Sequence, residues 1–216
     1  VVAGAVWLFR NALKGERHEQ SSLTGGFSLL RQMRFGFGAL CIFLYVGAEV
    51  AIGSLIVNYL QLPRVMGLDQ QTAGEMLVYY WGGAMVGRFI GSVVLRLVRP
   101  GLVLGFNAAA VILLILISAN SGGTVAGYSI LAIGLMNSIM FPTIFTLACE
   151  GLGSRAADGS GIINVAIVGG AVIPPLTGAF ADVSGSLQLA LTIPALCYAV
   201  IAGFGLWTAR RAGAAA

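Results

Sequence analysis

Residues 35–60 read FGFGALCIFLYVGAEVAIGSLIVNYL, an apolar run that holds a single charged side chain, Glu49. An α-helix rises about 1.5 Å per residue and therefore needs about 20 apolar residues to cross the hydrocarbon core of a bilayer. The run is long enough to do so. It predicts a transmembrane helix with a carboxyl group near its middle.

Five further apolar runs follow along the chain. They cover residues 75–97, 101–119, 124–149, 160–181 and 188–208. Hydrophobic residues make up 58% of the chain and charged residues 9%, a composition that excludes a disordered chain and argues against a soluble domain. The sequence predicts an all-α membrane protein with six transmembrane helices.

The basic residues alternate between the two ends of these predicted helices. Three of the connections hold one cation among them, Arg64, whereas the remaining segments are basic. Cytoplasmic segments carry the excess of Lys and Arg, so the basic side, including the C-terminus, is predicted to be cytoplasmic. We attribute the net charge of +4 to contact with anionic lipid headgroups and predict no nucleic-acid partner. The cations of the basic side are Arg10, Lys14, Arg17, Arg31, Arg34, Arg96, Arg99, Arg155, Arg210 and Arg211.

The domain organisation follows from the same pattern. Residues 1–9 are apolar but span only about 14 Å as a helix, which suits the end of a preceding transmembrane helix and suggests that the chain is a fragment. Residues 10–34 form one long polar connection, residues 35–209 form the six-helix bundle, and residues 210–216 form a tail. The later connections are short, so neighbouring helices are expected to run antiparallel.

The six runs can be grouped as three plus three. The first and fourth runs each carry a polar residue near the midpoint, Glu49 and Asn137, and the second and fifth runs are rich in glycine. Three crossings reverse the orientation of the next unit, so this pattern predicts a 3+3 inverted repeat.

Glu49 and Asn137 are the strongest candidates for a binding role. A carboxyl group in the middle of the membrane costs about 2.5–3.5 kcal/mol on insertion scales, so it is expected to face a polar cavity or a partner. Tyr45 lies one turn before Glu49 on the same face. Near Asn137, Pro142 removes the helical hydrogen bond to the carbonyl of Ser138 and predicts a bend. The alternative for both polar residues is a structural bond between helices.

The second run carries a further polar face. Trp81 and Arg88 fall on one side of the predicted helix, and Trp81 could stack on a ligand or simply pack. Arg88 lies too deep to reach water easily and is expected to have an acidic partner. Glu150, at the cytoplasmic end of the fourth run, is the candidate, and the pair could act as a gate that depends on the transport state.

Neither a metal site nor an enzyme is predicted, and no cofactor is expected. Three cysteines stand singly in apolar runs and lack the spacing of metal ligands. An intramembrane serine protease would need a base beside its nucleophile, and the sole histidine, His18, lies in the polar connection.

Four stretches of the chain resemble a known family. They are YVGAEVAIGSLIVNYL (45–60), YYWGGAMVGRFIGSVVLRLVRP (79–100), GLMNSIMFPTIFTLACEGLG (134–153) and GSGIINVAIVGGAVIPPLTGAFAD (159–182). Together they resemble the second half of the major facilitator superfamily, and within it the fucose–glucose/galactose:proton symporter family of bacterial sugar transporters.

The resemblance implies a twelve-helix transporter in a bacterial inner membrane, in which two six-helix halves enclose a central sugar site. Residues 10–34 would then be the central cytoplasmic loop, and the missing N-terminal half would be a partner of this one. Glu49 and Asn137 would bind sugar hydroxyls, with Tyr45 and Trp81 supplying ring contacts, in a symport of a hexose such as glucose, galactose or fucose with protons. The alternatives are a major facilitator transporter of another metabolite or drug, and a self-contained six-helix channel.

Overall fold

The computed structural model describes residues 23–214 as a bundle of helices. The predictions for residues 1–22, which include the half-helix at residues 1–9, His18 and much of the connection at residues 10–34, lie outside the described residues.

Eleven α-helices are described, joined by short connections, and a 3₁₀ turn at Gly153–Arg155 precedes α8. In chain order they are α1 Leu23–Leu29, α2 Met33–Gln61, α3 Gln70–Glu75, α4 Leu77–Leu97, α5 Pro100–Asn120, α6 Gly123–Asn137, α7 Met140–Cys149, α8 Ala156–Ala166, α9 Gly169–Ser184, α10 Leu187–Ala190 and α11 Thr192–Ala214. The six predicted runs correspond to span 1 (α2), span 2 (α4), span 3 (α5), span 4 (α6 and α7), span 5 (α8 and α9) and span 6 (α11).

Five helical stretches are long and apolar enough to cross a membrane. They are Met33–Gln61, Pro100–Asn120, Gly123–Cys149, Gly153–Ser184 and Leu187–Arg211. The helix of span 2 is not among them, because Arg88 and a tyrosine- and glycine-rich start reduce its hydropathy. Its 21 residues still reach about 31 Å, and one face of it packs along α6. The protein is therefore a multi-pass, all-α membrane protein.

Spans 4 and 5 are broken helices. In span 4, α6 ends at Asn137 and α7 begins at Met140, two residues before Pro142. This break confirms the bend predicted from Pro142, which cannot donate a hydrogen bond to Ser138. In span 5, α8 ends at Ala166, and the amides of Gly170 and Ala171 donate to carbonyls only three residues back.

The contacts between spans follow an internal two-fold relation. Span 1 packs on span 5, and span 4 packs on span 2; likewise span 1 packs on span 6, and span 4 packs on span 3. Spans 3 and 6 contact each other extensively, as do spans 1 and 4. Exchanging the first three spans with the last three leaves this set of contacts unchanged, which is the arrangement expected of a 3+3 repeat.

Glycines on both helices allow the two equivalent crossings to be close. Gly47 and Gly169 lie against the opposite helix where α2 crosses α9, and Gly87 and Gly134 lie against the opposite helix where α4 crosses α6. A Cβ atom at any of these four positions would collide with atoms of the opposite helix. Gly87 and Gly91 of span 2 thus allow close helix packing, whereas Gly178 in span 5 has open space around it.

Candidate binding site

A cavity of about 500 Å³ lies between α2, α4 and the break of span 4. This volume is within the range of small-molecule sites, about 300–1,000 Å³. Its walls are mostly apolar, and its polar side chains come from α2 and α4, with Ser138 at the break. The cavity is not enclosed, because Trp81 in its wall is 57% exposed.

Glu49 lines this cavity from α2. The helix buries the face that carries Tyr45, Ala48 and Ile52, and Glu49 lies at the edge of that face, where it is half-buried. Tyr45 lines the cavity one turn away. The carboxyl group is thus placed beside a void, as the cost of burying it predicts.

The structure brings Trp81 and Arg88 to the same cavity as Glu49. Both side chains are exposed, and they lie two turns apart on α4, so the helix presents them together. Within the described part of the chain, Arg88 has no ion-pair partner. The cavity therefore offers a carboxyl group, a guanidinium group and an aromatic ring to a ligand.

The predicted pair between Arg88 and Glu150 is wrong for this structure. Glu150 instead pairs with Arg34, whose Nε also donates to the carbonyl of Leu147 at 2.9 Å. The reason is topological: α7 packs along α2, so the end of α7 lies beside the start of α2, while α4 packs on α6. A cation at the C-terminus of a helix can donate to its last carbonyl groups and is attracted by the negative end of the helix dipole.

Asn137 is sealed inside the bundle and does not line the cavity. Its side chain is 1% exposed, its Nδ2 donates to the hydroxyl of Tyr80 at 3.1 Å, and its Oδ1 accepts from the hydroxyl of Tyr198 at 2.9 Å. The hydroxyl of Tyr45 donates to its backbone carbonyl at 2.9 Å. This geometry does not support the predicted contact between Asn137 and a ligand, because its amide is already bonded at both ends.

Tyr80 and Tyr198 were missed by the sequence reasoning, although a signal for them existed. Both rings are fully buried within predicted transmembrane runs, where a hydroxyl group must find a partner. The amide of Asn137 has the same need. Together with Tyr45 they link α2, α4 and α11 to the end of α6, which fixes the break in span 4.

No protein-family model matches this chain, but several known proteins are similar to it. It is 54% identical over 169 residues to a glucose/galactose transporter of Brucella abortus, covering 78% of this chain and 41% of that protein. It is 34% identical over 197 residues to an L-fucose-proton symporter of Escherichia coli, covering 88% of this chain and 44% of that protein.

A solved structure shows the same fold. The crystal structure of the major facilitator superfamily transporter FucP in the outward conformation matches with a TM-score of 0.82 and 32% identity, over 89% of this chain and 47% of that one. The chain thus spans about half the length of the relatives it matches. These similarities confirm the resemblance seen in the sequence: the chain has the fold of part of a major facilitator superfamily transporter and is related to bacterial glucose/galactose and fucose transporters.

Proposed function

We propose that this chain forms one six-helix half of a transporter that moves a monosaccharide together with protons by alternating access. The relatives named above are sugar transporters, and one is named as a proton symporter. The observation that carries the proposal is the cavity itself. A half-buried carboxyl group, Glu49, lines an open mid-membrane void together with Arg88 and Trp81.

The chemistry of the cavity suits a sugar. Glu49 can accept hydrogen bonds from hydroxyl groups, and Arg88 can donate to hydroxyl oxygens. The exposed ring of Trp81 offers a flat apolar surface to the C–H face of a pyranose. The hydroxyl of Tyr45 donates to the carbonyl of Asn137 and also lies beside the carboxyl group of Glu49, so Tyr45 offers its ring to a ligand and connects the cavity to the helix break.

The open side of the cavity supports a second half. An aqueous pocket at mid-membrane needs walls on both sides, and this chain supplies one of them. We propose that a second six-helix half supplies the other wall and the remaining ligand and proton contacts. The short helix α1 then belongs to the connection between the halves, and the helices from α2 onward form the bundle of this half.

The proposed orientation places the basic ends of the spans in the cytoplasm of a bacterial cell, with the protein in the inner membrane. Arg34 and Arg155, together with Arg96 and Arg99, would then face the cytoplasm, and so would the C-terminal tail at residues 210–216. The excess of basic residues on one side supports this assignment.

Uptake of labelled hexoses by the complete protein in vesicles with an imposed proton gradient tests the function. We expect uptake of glucose, galactose or fucose that stops when an uncoupler dissipates the gradient. Uptake of no sugar in the panel would reject the substrate class. Sugar uptake that is indifferent to the gradient would reject the coupling to protons.

A further inference from the structure

A second cavity, of about 430 Å³, lies on the other side of the span 4 break. It is a crevice between α4 and α5, which touch each other little, and α6 forms its floor. The walls are almost entirely apolar and include Val94 of α4, Val98 directly after that helix, and Phe106 of α5. The amide of Asn107 on α5 donates to the carbonyl of Met136 on the floor at 3.1 Å.

The outer rim of this crevice is apolar and exposed. Ile90 on α4 is 54% exposed and Phe106 on α5 is 68% exposed. The crevice and the candidate binding site share one wall residue, Ser138, and lie on opposite sides of it. If the binding-site side faces the other half of the protein, the crevice side faces the bilayer.

One end of the crevice is positively charged. Val98 and Leu102 line it, and between them the chain turns from α4 into α5 at Arg99. Arg99 is exposed, and in the described part of the chain it has no ion pair. Arg96, in the last turn of α4, lies on the face of that helix opposite to Val94, and therefore outside the crevice. An apolar trough that ends at an unpaired cation is complementary to a lipid with an anionic headgroup.

We propose that this crevice holds one membrane phospholipid with an anionic headgroup. One acyl chain occupies the trough, and the phosphate lies against Arg99. Because the trough shares the wall at Ser138 with the sugar cavity, the bound chain supports the break of span 4 from the lipid side. The side of the crevice that faces the bilayer rests on the proposed two-half arrangement, but lipid binding uses no property of the sugar, so its test is separate from the test of transport.

The test measures binding of phosphatidylglycerol and phosphatidylcholine to the complete protein in detergent, by native mass spectrometry and by the shift in thermal unfolding midpoint. Each arginine near a headgroup contributes about 1 kcal/mol, or about fivefold in affinity. Phosphatidylglycerol should therefore bind more tightly than phosphatidylcholine. Arg99→Gln should remove that preference.

Two matched controls separate the site from general effects. Arg31→Gln removes the same charge from an exposed position elsewhere and should keep the preference. Val94→Trp fills the trough and should weaken binding of both lipids, while Val93→Trp, at a neighbouring position that is 58% exposed and outside the trough, should not.

The proposal is overturned if the unmodified protein binds the two lipids equally, or if the Arg99→Gln variant keeps its preference for phosphatidylglycerol. Unchanged lipid binding by a folded Val94→Trp protein would also overturn it. If Val94→Trp does not fold, the variant at the exposed Arg99 decides the question alone.

Discussion

Glu49 and Asn137 occupy equivalent places in the two three-helix units, yet the structure uses them differently. Glu49 lies at the edge of the buried face of an unbroken helix and faces a cavity. Asn137 ends a helix that breaks, and it is enclosed by Tyr80 and Tyr198. The repeat therefore preserves how the helices pack, while the polar residue at each midpoint has acquired its own role.

The difference has a physical origin in the break of span 4. An unbroken helix satisfies its own backbone, so the polar side chain of Glu49 remains available to a ligand. A break frees backbone groups that must be satisfied inside the membrane, and at Asn137 the freed carbonyl accepts from Tyr45. The buried amide then needs its own partners, which the two other tyrosines supply.

The largest expected effect on stability comes from the glycine crossings, where α2 crosses α9 and α4 crosses α6. Gly169→Ala and Gly134→Ala each drive a methyl group into the opposite backbone, and we expect each to cost about 3 kcal/mol, the upper part of the usual range for overpacking. Thermal unfolding in detergent measures the loss. Gly178→Ala, in open space on the same helix as Gly169, is the control and should not destabilise. A large loss of stability at one crossing and none at the other would show that the two three-helix units are not equivalent.

Replacing the cavity carboxyl group should reduce transport with little effect on folding. For Glu49→Gln we expect sugar uptake to fall about tenfold or more, since a hydrogen bond to a charged group is worth about 1.5–3 kcal/mol. The matched control is Glu75→Gln, an exposed carboxyl group outside the spans. Uptake and pH dependence equal to those of the unmodified protein would reject the role of Glu49.

Replacing the amide of Asn137 should instead reduce stability, because the structure gives it a packing role rather than a ligand contact. Asn137→Leu leaves the hydroxyl groups of Tyr80 and Tyr198 without this partner, and we expect a loss of about 1–2 kcal/mol in stability, as found for strong hydrogen bonds between membrane helices. Tyr198→Phe removes one bond of the set and should cost less. Thermal unfolding compares the variants. If the Asn137→Leu protein is as stable as the parent but binds sugar poorly, Asn137 belongs to the binding site after all.

The smallest expected effect concerns the cations. The pair of Arg34 and Glu150 is partly exposed, so Arg34→Gln should cost no more than about 1 kcal/mol, even with the bond to Leu147 lost. Arg88→Gln should change the unfolding midpoint little, because Arg88 forms no ion pair in the described structure and only faces Glu49 across the cavity, but should reduce uptake. Restored activity in an Arg88→Glu and Glu150→Arg double variant would favour the gate pair that this structure does not contain.

Much of the fold was predictable, because it depends on signals that are local in sequence. Runs of apolar residues gave the positions of the spans, and Pro142 gave the break, since a missing amide acts on its own helix turn. The need of Glu49 for a polar surrounding was predictable for the same reason. The partners of Asn137 and Glu150 were not, because they come from residues 57 to 116 positions away in the chain.

The sequence by itself determined that the chain is a multi-pass membrane protein, which helices cross the bilayer and which polar groups cannot be left alone in it. Hydrophobicity and helix length act residue by residue, so they can be counted along the chain. Only the tertiary structure decided that Glu49 meets a cavity, that tyrosines enclose Asn137, and that Arg34 rather than Arg88 pairs with Glu150. Those outcomes depend on which helix faces lie together, and that is set by the glycine crossings and the break in span 4.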